Sequence, residues 1–323
     1  MIPEGVFELL WVLPLSLAAG VDLYLTLLFL GIATRLGWET PPPGALGDLG
    51  APMVVLAALL LYVLELWAER RALPSLLWNA VHTVVRPLAG ALLALLALTG
   101  LPPGARFAAA VAAGALALAA HVTRSGWGLL LGLIQATPRV RLLVSLAEDV
   151  GVLALLSLLL DVPLAAAGLA LFAVAVGVSG GRSSAGAFAF ALALVWNAAW
   201  AVIREGRWHG PERFPRWIRR ALDDPSLAPG GGLRGSPAGA VELEGLGLFR
   251  AGWVVVRGGS PLFLYRDRRR TRAVDLGSAR PVGVTPSALH TRVELAGAGG
   301  RPCALYFSLE GPRPEDLHAE FLG

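Results

Sequence analysis

Glu65, Glu69 and Arg70, then His82 and Arg86, then Glu148 and Asp149 are ionisable residues set inside stretches that are otherwise almost wholly apolar. Glu65 and Glu69 are four apart and share one face of a helix. His82 and Arg86 repeat that spacing on the next segment, which returns after the short turn PSLLWNA, so opposite charges can meet across two adjacent helices. Glu148 and Asp149 are neighbours, point about 100° apart on a helix and cannot both face one partner. One of them is expected to pair with Arg86 or Arg124, and the other to be wet. His121, at the end of its apolar run, either titrates near neutral pH or caps a helix.

A charge at the centre of a bilayer costs on the order of 3 kcal/mol on insertion scales, so such groups pair or line water. A buried ion pair can fix the register of a helix bundle without moving anything across the membrane. The same groups can instead line a path for a small solute or ion, the acids favouring a cation or proton and Arg86 and Arg124 suiting an anion. In a third placement Glu69, Arg70 and Arg124 snorkel to the interface. A membrane enzyme with Glu148, Asp149 and His82 as acid and base is chemically sufficient. The sequence nevertheless has no P-loop, HExxH, GxSxG or Cys/His metal spacing, and GGRSS (180–184) lacks the Lys of a phosphate loop. No cofactor, metal or nucleic acid is called for. The expected partners are membrane lipids and a small ion or solute, with homo-oligomerisation left open.

The elements that must hold these groups are membrane helices. A composition of 55% hydrophobic and 15% charged residues, with a mean hydropathy of +0.64, exceeds what a soluble domain can hide in one core. Against the ~20 residues a spanning helix needs, the candidate runs are 6–33, 52–68, 84–100, 105–122, 142–160, 163–180 and 184–203. The first is too long for one straight span and contains Pro14 and Gly20, which predicts a kinked or broken helix. The run 126–135 is too short to cross and reads as re-entrant. The expected fold is an all-α polytopic bundle of six or seven spans over residues 1–205. The start MIPEGVFELLWVLPL lacks a basic n-region and cleavage site, so it is expected to remain in the mature protein. All 27 basic residues are Arg. The dense Arg cluster after the last run argues for a cytoplasmic C-terminus, although seven crossings would leave Arg70, Arg71, Arg124, Arg139, Arg141 and Arg182 outside. SLAAGVDLYLTLLFL (16–30) and SLAEDVGVLALLSLL (145–159) begin alike, which suggests either an internal duplication or the chance similarity of Leu/Ala-rich runs.

After Arg204 the composition changes. Residues 206–240 read as a basic amphipathic helix and a Gly/Pro-rich linker, and 241–323 as a small β-rich cytoplasmic domain. Phe214, Trp217, Ile218, Ala221 and Leu222 fall on one helical face with Arg213, Arg216 and Arg220 turned away, the pattern of a helix in the headgroup layer or of one packed on its own tail. GWVVVR, LFLYRD, TRAVDL, TRVELA and CALYFS are strand-like and separated by turn residues, and PEDLHAEFL closes the chain as a capping helix. This pattern resembles the small pleckstrin-homology-like barrel. In such a barrel the turn carrying Arg266, Arg268, Arg269, Arg270 and Arg272 either touches anionic lipid or is simply solvated. The lone Cys303 excludes an intramolecular disulfide.

The run SLAAGVDLYLTLLFLGIATRLG, then LELWAERRALPSLLWNAVHTVVRPLAGALLA, LALAAHVTR and SLAEDVGVLALL is similar in order and spacing to the bacterial membrane-protein family catalogued as domain of unknown function 4126, over roughly residues 10–180. Its most specific pieces are HTVVRPLAGALLA, with His82, Arg86, Pro87 and Gly90, and SLAEDV, with Ser145, Glu148 and Asp149. Asp22 stands where the family usually has Asn, adding a carboxylate beside Gly20, and Glu69 and Arg70 stand where Asp and Lys are usual. The resemblance implies an inner-membrane architecture and recurring polar residues but no substrate. Two functions therefore remain in view: a transporter or channel that uses the polar cluster, and a membrane anchor whose C-terminal domain binds lipid or protein.

Overall fold

A computed structural model describes residues 4–38, 41–69, 71–134, 137–201, 206–222, 232–243, 246–267, 270–296 and 302–322. The chain divides into two compact units, one of residues 1–128 and 136–184, the other of 129–135 and 185–323.

The first unit is helical. Helices α1 (Glu4–Val21) and α2 (Leu23–Leu36) are followed by α3 (Pro52–Glu69), α4 (Ala72–Ala97), α5 (Pro103–Leu133), α6 (Pro138–Asp161) and α7 (Pro163–Ala201), of which the end of α5 from Leu129 and the part of α7 from Ala185 belong to the second unit. The predicted break in the first apolar run is present, but α1 passes through Pro14 and stops at Asp22. Asp22 has extended backbone, and its Oδ1 accepts from Leu25 N at 2.9 Å, so its carboxylate caps the restart of the helix. Thr137 caps α6 in the same way, accepting from Val140 N.

Around an apolar core that includes Trp11, Leu15, Leu30, Leu98 and Leu156, burial along α3 and α4 is inverted relative to a water-soluble bundle. Helix α3 exposes Leu56, Leu59, Leu60, Val63, Leu64 and Trp67 while burying Glu65, and α4 exposes Leu77, Val81, Val84, Leu88 and Leu92 while burying His82 and Arg86. Helices with apolar outsides and charged insides are built for hydrocarbon. Four of them, Pro52–Glu69, Pro74–Ala97, Pro103–Leu133 and Arg139–Asp161, are long and apolar enough to cross a membrane.

Several elements differ from the sequence reading. Against the six or seven expected crossings, four helices among the described residues are long and apolar enough to cross, and Phe7–Val21, Leu23–Leu36, Pro163–Gly177 and Ser183–Ala198 are shorter apolar helices. The re-entrant reading of 126–135 gives way to helix, since 126–133 are the last turns of α5. The PSLLWNA turn belongs to α4, which starts at Ala72 rather than near 84. Backbone helix also continues through GGRSS, so 163–180 and 184–203 are not separated. Glycines allow close approach where backbones meet: a Cβ on Gly20 would lie 2.4 Å from Ala117 O, and one on Gly126 would lie 2.2 Å from Ser184 O.

The second unit is built on a seven-stranded antiparallel sheet of order β4-β3-β2-β1-β7-β6-β5, comprising β1 (Arg234–Val241), β2 (Phe249–Arg257), β3 (Ser260–Asp267), β4 (Arg270–Asp275), β5 (Arg280–Pro286), β6 (His290–Ala296) and β7 (Pro302–Ser308). Alternation along β2 sends Val254 and Val256 into a core with Phe263, Leu305 and Phe307, while Val255 faces the other way against Phe214, Ile218 and Leu222. The capping helix α9 (Pro314–Phe321) closes the main core with Leu317 and Phe321. Leu130, Ala187 and Phe190 pack with Val241, Phe249, Ala304 and Tyr306, whose hydroxyl donates to Leu133 O at 3.2 Å. Cys303 is buried, and burial pushes its thiol above the usual range, so it packs as an apolar group.

Strand β1 lies where the sequence suggested a Gly/Pro linker. Its small residues are required because aromatic rings cover it: a Cβ on Gly239 would lie 2.8 Å from a Phe249 ring carbon and 3.0 Å from one of Phe190. Pro237 is accommodated just before Ala238–Val241, the part of β1 that pairs with β7.

Candidate functional site

Four helices bring the polar residues together. Glu65 and Glu69 stand one turn apart on α3, Arg86 comes from α4, Arg124 from α5 and Glu148 from α6. Arg86 Nη2 pairs with Glu65 Oε1. Its other terminal nitrogen, Nη1, donates to the last carbonyls of α1, Gly20 O at 2.7 Å and Val21 O. Arg124 is the hub of the acids, with Nη1 2.6 Å from Glu69 Oε1 and 3.6 Å from Glu65 Oε1, and Nε donating to Glu148 Oε2 at 2.9 Å. Among the described residues, three carboxylates thus converge on two guanidiniums. Asp149 turns to Tyr62, whose hydroxyl donates to Oδ2 at 3.1 Å.

Burial is graded along this column. Side-chain exposure is 0% for Arg86, 2% for Glu65, 10% for Arg124, 21% for Glu69 and 25% for Glu148, so burial is deepest at Arg86 and Glu65 and least at Glu148.

Two histidine nodes adjoin the most buried groups. His82 Nδ1 lies 2.7 Å from Trp78 O and Nε2 lies 2.8 Å from Tyr24 Oη. A carbonyl only accepts, so Nδ1 carries the hydrogen, and in the neutral imidazole Nε2 then accepts from the tyrosine hydroxyl. Trp78 stacks on the imidazole at 4.4 Å. His121 Nε2 donates to Asn79 O at 3.1 Å, and Ser125 Oγ donates to Asn79 Oδ1 at 2.8 Å. His121 is 0% exposed and is held inside the bundle rather than at a helix cap.

The expected Glu65–Arg86 encounter is made, and Glu148 meets Arg124. Glu69 pairs with Arg124 rather than with the α4 residues. Asp22 is engaged as an N-cap. Ser145, half-buried on α6, stands outside the ion pairs among the described residues. Arg70, Arg268 and Arg269 lie outside the described residues. Tyr24, Tyr62, Trp78, Asn79 and Ser125 were not singled out from sequence, yet Trp78, His82 and Arg86 recur at i, i+4 and i+8, a stripe that marked them.

The lipid-facing expectation for the 214–222 helix changes. In α8 (Arg216–Leu222), Ile218 and Leu222, with Phe214 before it, are covered by Val255 and Leu264 of the sheet, and Trp217 packs against the same cluster. The apolar face is therefore held by the protein's own tail. Arg213, Arg216, Arg219 and Arg220 are exposed, as are Arg270 and Arg272 on β4.

Comparison with known proteins gives one finding for the helical part: a family model described as a domain of unknown function (DUF4126) matches residues 9–183. No curated protein and no solved structure matches. The matched stretch contains every residue of the ion-pair column.

Proposed function

The chain belongs to the DUF4126 family, and from that premise we propose that the helical unit is a path for a small cation or proton, built from the Glu65, Glu69 and Glu148 carboxylates and paced by Arg86 and Arg124. The observation that carries this reading is the graded column itself. A pair that only fixed helix register would need one acid for each base, both dry. Here, among the described residues, three acids face two bases, and exposure rises to 25% at Glu148. Excess negative charge beside a low-dielectric wall attracts cations and repels anions.

The test is flux through sealed liposomes holding the full chain, with a panel of cations and anions. Glu148→Gln is expected to cut cation flux by at least about tenfold, the equivalent of 1.4 kcal/mol on a barrier. Arg124 keeps Glu69 in this variant, so the protein stays folded. Flux equal to wild type would assign the column to structural pairing.

A second reading concerns the C-terminal unit, where the exposed arginines of 213–220 and of β4 offer a surface to anionic headgroups. Each near-surface arginine contributes about 1 kcal/mol. Replacing Arg216, Arg219 and Arg220 together by Ala is then expected to weaken flotation of the nanodisc-held full chain with phosphatidylserine vesicles by about a hundredfold. Equal flotation at low ionic strength would remove this reading.

A further inference from the structure

The inner end of the column is unequally bonded. Glu65 Oε1 takes Arg86 and lies 3.6 Å from Arg124 Nη1, whereas Oε2 is buried and has no hydrogen-bond partner among the described residues. Arg86 Nε is buried and unpartnered there in the same way. A carboxylate oxygen left bare in a side chain that is 2% exposed is a costly arrangement. It calls for a ligand small enough to reach a sealed place.

The oxygens around it narrow the choice. The carbonyl end of α1 is the negative pole of a helix stopped inside the bundle, and a broken membrane helix commonly offers such an end to a coupling ion. In this protein Arg86 Nη1 occupies it, taking Gly20 O and Val21 O, while Nη2 takes Glu65 Oε1. Hard metal ions gather about six oxygens. Of the oxygens around Arg86, those of Gly20, Val21 and Glu65, the tethered guanidinium leaves one unbonded, Glu65 Oε2. One oxygen is too few for a metal ion and enough for a proton. Among the described residues no group of three or more His, Cys, Asp or Glu is arranged to hold a metal.

We propose that Glu65 is the proton-binding residue of the helical unit and that Arg86, by filling the helix break, excludes alkali-metal ions from it. The proposal rests on the reading of the column as a cation path. A proton arriving past Glu148 and Glu69 adds to Glu65 Oε2, and the neutral carboxyl loosens its hold on Arg86, which keeps Gly20 O and Val21 O, and on Arg124, which keeps its bonds to Glu69 and Glu148. Release of the proton restores the charge and draws Arg124 back. Among the described residues, the charged and titratable groups around Glu65 include Arg86 from α4, Arg124 from α5, Asp149 from α6, Asp22 and Tyr24 from the helix break, and, on its own helix, Tyr62 and Glu69, which shares Arg124 with it. A pH profile of flux therefore belongs to this set rather than to one residue.

The experiment uses the full chain in liposomes, with a pH gradient imposed in Na+, K+ or N-methylglucamine media, and compares wild type with Glu65→Gln and Glu65→Asp. Wild type is expected to dissipate the gradient at the same rate in all three media. Glu65→Gln should lose at least about tenfold of that rate, and Glu65→Asp, which keeps a carboxyl, should retain much of it. Should Glu65→Gln fail to fold, the infrared carboxylic-acid band of wild type, titrated over pH, is expected to move in Glu65→Asp. Proton flux unchanged in Glu65→Gln, a band unmoved in Glu65→Asp, or flux that requires Na+ or K+ would overturn the proposal and leave the cation path standing. Wild type that passes none of H+, Na+ or K+ would remove both.

Discussion

Arg86→Met is expected to be the most damaging single substitution in the helical unit, lowering stability by about 3–5 kcal/mol, the cost of leaving one charge of a buried pair without its partner. Three groups lose their donor at once: Glu65 Oε1, Gly20 O and Val21 O. Glu65 would then depend on Arg124 at 3.6 Å, a weaker contact than those Arg124 already makes with Glu69 and Glu148. The loss is read as the thermal midpoint of the detergent-solubilised full chain followed by size-exclusion fluorescence. Arg86→Met/Glu65→Leu should recover a large part of it, because replacing both members of a buried pair by apolar groups removes the stranded charge. Recovery should stay incomplete, since no side chain then reaches the α1 carbonyls. A single variant that melts with wild type would show that Arg86 does not clamp the helix break. A double variant no better than the single would place the loss in those carbonyls rather than in the ion pair.

The meeting of Glu65 with Arg86 was legible in the sequence because both signals are local: two acids four apart, a His and an Arg four apart, and a short return between them. The role of Arg124 was only partly legible. Its partners Glu69 and Glu148 come from α3 and α6, and nothing along the chain states that α5 is set between those helices. The missed residues share one cause. Trp78 and Asn79 were read as turn because PSLLWNA has a Pro and polar residues, which in water would end a helix. Inside a bundle side chains satisfy such groups: Asn79 O takes His121 Nε2 from α5, and Trp78 O takes His82 Nδ1 one turn on in α4. The same reasoning explains β1, whose glycines read as linker because the rings of Phe190 and Phe249 that require their smallness are distant in sequence. Local pattern carried the charged pairs and the strand alternation. Whatever depended on a remote covering partner was invisible.

Packing around α5 gives the other large expected effect, and it bears on function as well as stability. A Cβ on Gly126 would stand 2.2 Å from Ser184 O and 2.5 Å from Ser184 C, backbone atoms that cannot rotate aside, so Gly126→Val forces α5 and α7 apart. Overpacking of this kind costs about 1–3 kcal/mol. Gly126 is two residues from Arg124, whose guanidinium must reach Glu69 at 2.6 Å and Glu148 at 2.9 Å. A displacement of even 1 Å lengthens both contacts beyond hydrogen-bond range. Gly126→Val is therefore expected to lower the thermal midpoint and to reduce cation flux together. Gly128→Val, two residues further along the same helix at a position where an added Cβ meets nothing within 4 Å, should change neither. The comparison separates the close contact from the general cost of a β-branched residue in a helix. If both variants lose stability equally, the penalty is one of helix propensity, and the Gly126–Ser184 approach does not set the position of Arg124.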